Sequence, residues 1–580
     1  MKWLDGLKAA IPGLLVSPGA DTDSSASIIV DETASNVRQV AIIGAGAAGS
    51  STAYHLSKFA AEAGLEVNIT IFEKTHHIGG RTLTVDAFDD PSEPVEVGAS
   101  IFVDVNKILW NATRDFALDL RDPAGDADRL TVIWDGNEFV YQSAAGSSWW
   151  WDVAKLLWRY GPSPYTAQKL MKSTVATFLK LYEEPYFPFR SLSARVFELD
   201  LAKVTGVTGK QFLVDNGISP AFSHEIIEAA TRVNYATNLD HIHGLDTMVS
   251  IAPEGAKAVA GGNWRIFDRF VAESGAHVHL NTTVSSIAHG TKSTAVRPRY
   301  LINEGAAGGI AFDNIVLATP YQFSDIKTTG DVLQTAIDEV PYVDLHVTLF
   351  TSPFQISGAF LGLKPGAKVP TTVLTAFSPT ADGGSGIKGA GKTGFFSVST
   401  LRAITNPATG TEEYLYKIFS PTEVTSEFLS SLLGVTVPET FTEAAPAATP
   451  ATDDDTVAVK PISWYHKHLF QAYPQALPRV TFQDPVVGNG VYYTSGMEGF
   501  ISTMETNALM GKNVARLIVD EALGLSTGHA VVGGKQEDVV ESIESDEVVV
   551  VEEAQEAEAA QKAVDGDAKV EGPHSAADEL

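Results

Sequence analysis

The feature that most restricts this chain is Gly44-Ala45-Gly46-Ala47-Ala48-Gly49, which follows the apolar run Val40-Ala41-Ile42-Ile43 and precedes Tyr54, Leu56 and Phe59 at helical spacing. A short apolar run of this kind reads as a buried strand, and the pattern behind it reads as a helix. Gly-x-Gly-x-x-Gly in that setting predicts the first turn of a dinucleotide-binding unit. Gly44 makes the tight turn, Gly46 lets the backbone approach a pyrophosphate, and Gly49 lets helix and strand pack closely, with the helix N-terminus facing the anion. Glycines alone are weak evidence, since tight turns recruit them for many reasons. A second apolar run, 67–72, ends at Glu73, where a carboxylate can accept hydrogen bonds from an adenosine ribose. A solvated glutamate at a strand end is the plainer alternative.

Gly79-Gly80-Arg81 follows six residues on, and then Glu96-Val97-Gly98-Ala99-Ser100. A nicotinamide-binding unit does not require these additions. They resemble the superfamily of monoamine oxidases, polyamine oxidases and phytoene desaturases, and the resemblance implies FAD as the cofactor. There the glycine pair passes close to the FAD pyrophosphate and the arginine helps neutralise it, a task suited to a planar fork. The segments 281–287, with Val284 facing the adenine through its backbone, and 314–320, a buried strand ending at Thr319, complete the pattern. Near the other end, residues 491–498 lead into a helical pattern from 501 to 523. The resemblance places this last helix with its N-terminus at the flavin, Glu498 on the ribityl chain, and Ser502, Thr503 and Met504 at the ring.

A more specific resemblance, from about residue 37 to 523, is to the prenylcysteine oxidase, or prenylcysteine lyase, family. It is carried by Leu157-Trp158-Arg159-Tyr160-Gly161 with Ser163-Pro164, by Gly261-Gly262-Asn263-Trp264, by Ser502-Thr503-Met504-Glu505-Thr506 and by 511–516. Insertions near 385 and 450, the weak leader, the acidic tail and the lack of cysteine depart from the family. The resemblance implies oxidation of the thioether of farnesyl- or geranylgeranyl-cysteine to free cysteine, a prenyl aldehyde and hydrogen peroxide, with molecular oxygen as acceptor. Such chemistry needs positioning, a dry apolar slot and polar groups for the amino-acid end more than acid–base machinery. Trp149, Trp150, Trp151 and Trp158 are candidates for the slot; ordinary core aromatics or a membrane-facing patch are the alternatives. His243, Tyr465 and His466, with His241 and His468, are candidates for positioning water or holding a carboxylate. No cysteine or carboxylate at ligand spacing joins the histidines, so no metal is expected.

The expected fold is α/β: a Rossmann-like FAD-binding domain from 37–105, 255–325 and 485–524, with an interleaved α+β substrate domain from 106–254 and 326–484. Residues 1–36 read as a flexible leader or weak signal segment, and 525–580 as an acidic disordered tail. The net charge of −30 bears on partners. Fifteen acids against three lysines put −12 of it after residue 534, leaving a moderately acidic body with no basic cluster for nucleic acid. The absence of cysteine removes disulfides, thiol nucleophiles and a cysteinyl-flavin link. The terminal Ala-Asp-Glu-Leu resembles an endoplasmic-reticulum retrieval signal, and Asn68, Asn111 and Asn281 head glycosylation sequons, Asn68 within a predicted strand. A secretory-pathway site, in the reticulum lumen or a lysosome or vacuole, is the resulting expectation. Two other functions stay open: an amine or polyamine oxidase on the same FAD domain, and a prenyl-binding chaperone of the Rab GDP-dissociation inhibitor type, which uses no flavin.

Overall fold

The computed structural model describes residues 37–122, 130–144, 156–252, 255–290, 300–303, 310–377, 386–441 and 459–525. The chain begins with β1 (Arg38–Ile43), α1 (Ala47–Glu62) and β2 (Val67–Phe72), then the small hairpin β3 (Thr84–Asp86) and β4 (Pro94–Glu96), and α2 (Lys107–Asp115). A second hairpin, β5 (Leu130–Trp134) and β6 (Phe139–Ala144), leads into a helical layer that includes α3 (Ser163–Phe178), α4 (Glu228–Tyr235) and α5 (Gly244–Ser250). Next come α6 (Trp264–Ser274), β7 (His277–His279) and β8 (Asn314–Leu317). Long strands follow: β9 (Tyr342–Ser352), β10 (Thr372–Thr375), β11 (Ser397–Thr405), β12 (Glu412–Ser420) and β13 (Trp464–Pro474). β14 (Val486–Gly488), β15 (Val491–Tyr493) and α7 (Met504–Ala522) close the described chain.

One sheet has the order β14-β15-β8-β1-β2-β7, parallel except for its β14/β15 edge pair. Its central strands are apolar and buried on both faces, as parallel strands between helices must be. The register sets Ile43 opposite Phe72 and Leu317, and Leu317 opposite Tyr493, so four strands end level. Ligands of open α/β sheets bind outside such carboxyl ends. α1 and α7 pack on each other because α1 turns small residues, Ala48 to Ala53, inward; a methyl added at Gly511 would lie 2.2 Å from the Ala48 carbonyl oxygen.

A second sheet, order β13-β9-β12-β11-β10-β5-β6, is built from long alternating strands. One face, with Leu345, Val347, Leu349, Leu415 and Phe470, packs on Val95 and Val97 at the β4 end of the small hairpin. The other face, with Phe350, Tyr416 and Ile418, packs on Leu429, Leu432 and Leu433 of a short helix. The helical layer has its own core around Met171, Phe212, Ile227 and Met248. α2 packs Ile108, Leu109 and Ala112 into the core that contains α1 and α7, although its sequence position suggested the substrate domain.

The leader, Trp149, Trp150 and Trp151, the insertion near 450, and the tail with its Ala-Asp-Glu-Leu end lie outside the described residues. The insertion near 385 is tied into the interior at its far end, where the Gly389 and Ala390 carbonyls accept hydrogen bonds from the buried guanidinium of Arg232. No helix among the described residues is long and apolar enough to cross a membrane. Asn68 lies in β2 as expected, donating to Gln39 Oε1 at 2.7 Å, while Asn111 and Asn281 are exposed.

Candidate active site

At the level strand ends, Gly44-Ala45-Gly46 turns from β1 into α1. Ala45 N donates to Glu73 Oε2 at 2.8 Å, and Thr75 donates to Glu73 Oε1 at 2.8 Å from both its amide and its hydroxyl. A carboxylate has about four acceptor positions, so Oε2 keeps capacity for a ribose hydroxyl. The segment with Val284 is held beside it: Thr282 N donates to the Glu73 carbonyl and Asn281 N to the Thr75 carbonyl, both at 2.8 Å. Thr319 follows β8, and a methyl on Gly44 would meet the Ala318 carbonyl oxygen at 2.7 Å and Thr319 Cβ at 3.7 Å. The second glycine turn docks on the first. Gly79 N donates to the Ala45 carbonyl at 2.9 Å, and at φ +126° Gly79 lies against Trp264.

Gly46 and Gly49 are glycine for different reasons. A methyl at Gly49 would sit 1.9 Å from the Gly44 carbonyl oxygen, so packing of helix on turn demands it. Gly46 has an ordinary φ of −74°, and a methyl there would meet only Gly80 Cα, at 3.8 Å. The protein's own packing gives Gly46 no reason to lack a side chain. What it leaves is an open face at the N-terminus of a 16-residue helix, between two glycine turns, which is the cradle a diphosphate fills.

Arg81 leaves the second turn toward the start of the last helix. Its Nη2 meets Glu498 Oε1 at 2.6 Å and its Nη1 donates to the Ala472 carbonyl at 2.8 Å. Glu498, 1% exposed, accepts a further bond at 3.0 Å from the Tyr342 hydroxyl. Burial and the Glu498 charge push the Tyr342 phenol up, so it remains a donor. Tyr473, next to Ala472 in β13, is pushed up to about 12 by burial.

The Glu96–Ser100 turn is clamped from two sides. Asn263 N donates to Glu96 Oε1 at 2.7 Å, and Asn263 Nδ2 donates to the Ala99 carbonyl at 2.8 Å. Lys417 reaches over from β12, donating to the Glu96 carbonyl at 2.7 Å and to Ser100 Oγ at 2.9 Å. Burial raises the Glu96 carboxyl and lowers the Lys417 ammonium. Ala99 is thereby held at φ +53°, and Gly98 backs onto Arg81 and the Phe470 ring. At α7, Thr503 is the N-cap and forms a reciprocal capping box with Thr506, with Ser502 just before it and Met504 first in the helix. Glu505 accepts bonds from Ile108 N at 2.9 Å and Leu109 N at 3.0 Å, at the start of α2; burial pushes its carboxyl up to about 7.

The glycine turns, Glu73, Arg81, the 98–100 turn, Thr319, Glu498 and 502–504 thus gather along one rim, and they fit an FAD laid from Glu73 to α7. The proposed acid–base and slot residues fare differently. His243 is fully buried, its Nδ1 capping α5 by accepting from Asp246 N at 3.2 Å, and burial lowers its pKa to about 4. It is a structural cap. Tyr465 and His466 are neighbours in β13 and point to opposite faces of the sheet. Tyr465 packs edge-on to Phe441, while His466 stacks between Trp464 and His468. His466 lies four residues, roughly 13 Å, along the strand from the Phe470 that backs Gly98. His241 ends a short helical turn over 239–241. Trp158 is 91% exposed and lines no enclosed slot.

Sequence reasoning missed Tyr342, Lys417 and Glu505. Lys417 left a readable signal: a charge on the same strand face as Leu415 and Phe419. Among the described residues no group of histidines and carboxylates is arranged to hold a metal ion.

A family model described as prenylcysteine lyase matches residues 144–526, and one described as an NAD(P)-binding Rossmann-like domain matches 42–116. Farnesylcysteine lyase of Arabidopsis thaliana is 27% identical over 496 residues, covering 83% of this chain and 88% of that protein. Prenylcysteine oxidase 1 of Homo sapiens is 24% identical, with the same coverage of each chain. Among solved structures, cyclohexylamine oxidase from Brevibacterium oxydans superposes with a TM-score of 0.50 at 16% identity, over 83% of this chain and 99% of that one. At that identity it speaks for the fold.

Proposed function

The chain belongs to the prenylcysteine lyase family and is an FAD-dependent oxidoreductase, and on that footing we propose that it oxidises the thioether of prenylcysteine. One farnesyl- or geranylgeranyl-cysteine, one oxygen and one water become free cysteine, a prenyl aldehyde and hydrogen peroxide. The carbon–hydrogen bond beside sulfur gives up a hydride, leaving a cation spread over sulfur and the allylic double bond. Water adds to that carbon and loses a proton, and the carbon–sulfur bond of the resulting hemithioacetal breaks, with sulfur leaving as the thiol. FAD, when bound, accepts the hydride and returns the electron pair to oxygen.

The chain's own contribution is to hold and exclude. Glu73 would take the ribose, the turns at Gly46 and Gly80 with Arg81 would take the diphosphate, and the 98–100 turn and the N-terminus of α7 would hold the ring. The positive end of α7 favours the negative charge that the cofactor gains on reduction. No side chain has to act as a strong base, because the departing group is a hydride and the cation is stabilised by the substrate's own sulfur. The observation that carries the reading is the open face at Gly46 beside the Arg81–Glu498 pair, in a chain whose relatives by name act on farnesylcysteine or prenylcysteine. The rim is the general cofactor site of a flavin oxidase, so the substrate must be tested directly. Purified yellow protein given farnesylcysteine in air is expected to release thiol and peroxide in equal amounts, and cyclohexylamine and putrescine are expected to give none. Peroxide from an amine with none from the thioether would replace this reading with amine oxidation; a colourless protein would point to a prenyl-binding role.

A further inference from the structure

An apolar cavity in the helical layer plays no part in the site described so far. Its volume is about 270 Å³, and its walls include Ala167 and Met171 of α3, Phe222, Ile226 and Ile227, and Ile251 just after α5. Three of these come from a five-residue π-helical turn, Ser223–Ile227, and the residue before it. Such wide turns are rare and concentrate at functional sites.

The turn is fixed from outside. His224 bonds the Phe377 carbonyl at 2.7 Å through Nε2 and Glu228 at 2.7 Å through Nδ1, while Glu225 takes the Tyr160 hydroxyl at 2.6 Å and Arg159 at 2.7 Å. Its titratable side chains, His224 and Glu225, are occupied in these ties, and Phe222, Ile226 and Ile227 line the cavity. The following helix, α4, is anchored by Arg232, whose buried guanidinium bonds the Thr375 hydroxyl, Asn238 and several carbonyls of residues 389–395.

α4 also connects this cavity to the cofactor rim. Ile227 precedes its first residue, and its last, Tyr235, meets Tyr473 edge-on with ring centroids 5.5 Å apart. Tyr473 adjoins Ala472, whose carbonyl holds Arg81. Ile227, Tyr235 and Ala476 belong to one continuous apolar cluster with Tyr473 at its edge. Eight helical residues span roughly 12 Å. An extended farnesyl chain, with bonds of about 1.5 Å, spans roughly 15 Å. A second cavity, bordered by Arg38, Gly64 and Ile518, opens at the amino end of β1, away from the glycine turns, and cannot serve a substrate at the rim.

We propose that the cavity beside the π-helical turn receives the distal isoprene units of the substrate, and that Met171, Phe222 and Ile226 set the longest chain accepted. This rests on the reading of the substrate as a prenylcysteine. The test compares geranyl-, farnesyl- and geranylgeranyl-cysteine as substrates of the FAD-loaded full-length protein. Ile226→Trp, which fills the cavity, should lower kcat/KM for farnesylcysteine at least ~10-fold, mainly through KM, and leave geranylcysteine within about threefold. Phe222→Ala, which enlarges it, should raise geranylgeranylcysteine relative to farnesylcysteine by several-fold, and it carries the test should the tryptophan variant lose its flavin. Wild-type turnover with the same chain-length ratios in the folded variants would show that the tail lies elsewhere. A flavin-loaded wild type inert toward all three would instead overturn the thioether reading, and this proposal with it.

Discussion

Arg81 and Glu498, 417 positions apart in sequence, meet at 2.6 Å and join the second glycine turn to the approach of the last helix. On the proposed reading this ion pair couples the diphosphate and ring sites; the Tyr342 hydroxyl also donates to Glu498, and the Ala472 carbonyl also accepts from Arg81. Glu498 is buried and Arg81 is about one-third exposed, so losing the arginine strands a carboxylate. Arg81→Met is expected to destabilise the protein by about 2–4 kcal/mol and to yield protein largely free of flavin. Arg81→Lys keeps the charge and loses the fork, and should retain flavin more weakly than wild type. Thermal melts together with the absorbance ratio of flavin to protein measure both effects; wild-type flavin content in Arg81→Met would show that the pair has no part in holding the cofactor.

The two glycines of the first turn give a sharper contrast. Gly46→Ala should fold, at a cost of about 1 kcal/mol for a poorer N-cap, and Gly46→Val should fold yet purify colourless, because its side chain occupies the open face. Gly49→Ala, which drives a methyl to 1.9 Å from a carbonyl oxygen, should fail to accumulate as folded protein. Circular dichroism and flavin absorbance on the three variants separate loss of cofactor from loss of fold.

Acid sensitivity should trace partly to His243. Burial lowers its pKa from 6.5 to about 4 in the folded protein. Between those values the unfolded chain binds the extra proton, so the stability from the neutral imidazole is complete above about pH 6.5 and is lost as the pH falls toward 4. Asp246, also buried and 3.7 Å away, has its pKa raised and contributes with opposite sign, so the wild-type curve alone does not isolate the imidazole. Asparagine can replace the cap, and the stability advantage of wild type over His243→Asn should shrink by about 3 kcal/mol between pH 7 and pH 4. Urea melts across that range check it, and a constant gap would mean that the imidazole is not held neutral by the fold.

Lys417 holds the 98–100 turn, which on the proposed reading borders the ring. Lys417→Met removes the donors to the Glu96 carbonyl and to Ser100 Oγ and leaves Ala99 less firmly held at positive φ. The variant should bind FAD about 10-fold more weakly, with a shifted flavin spectrum, because the two lost charge-assisted bonds order the turn and do not themselves reach the cofactor. Titration of apoprotein with FAD gives the answer, and an unchanged dissociation constant and spectrum would assign Lys417 to packing alone.

The parts of this molecule legible in its sequence are those whose signal is local. Gly44 to Gly49, the strand ending in Glu73 and the helix after Glu498 each carry their spacing within a few residues. The Arg81–Glu498 contact could be guessed only as two separate contacts to one cofactor, since nothing near either residue names the other. The misreadings have physical causes as well. Tyr465 and His466 are both titratable and so both candidates, yet adjacent positions in a strand send their side chains to opposite faces. His243 looked reactive because histidine titrates near neutrality, but at the head of a helix the same nitrogen serves as a cap. Trp158, a candidate for the slot or for a membrane-facing patch, faces solvent.

The central claim is that a hydride passes from the carbon beside sulfur in a prenylcysteine to the flavin held at this rim. Anaerobic mixing of the yellow protein with farnesylcysteine, and with the same compound deuterated at that carbon, tests it most directly. The account predicts bleaching of the flavin band by both, more slowly with the deuterated compound. A band that persists with farnesylcysteine while cyclohexylamine bleaches it would contradict the account.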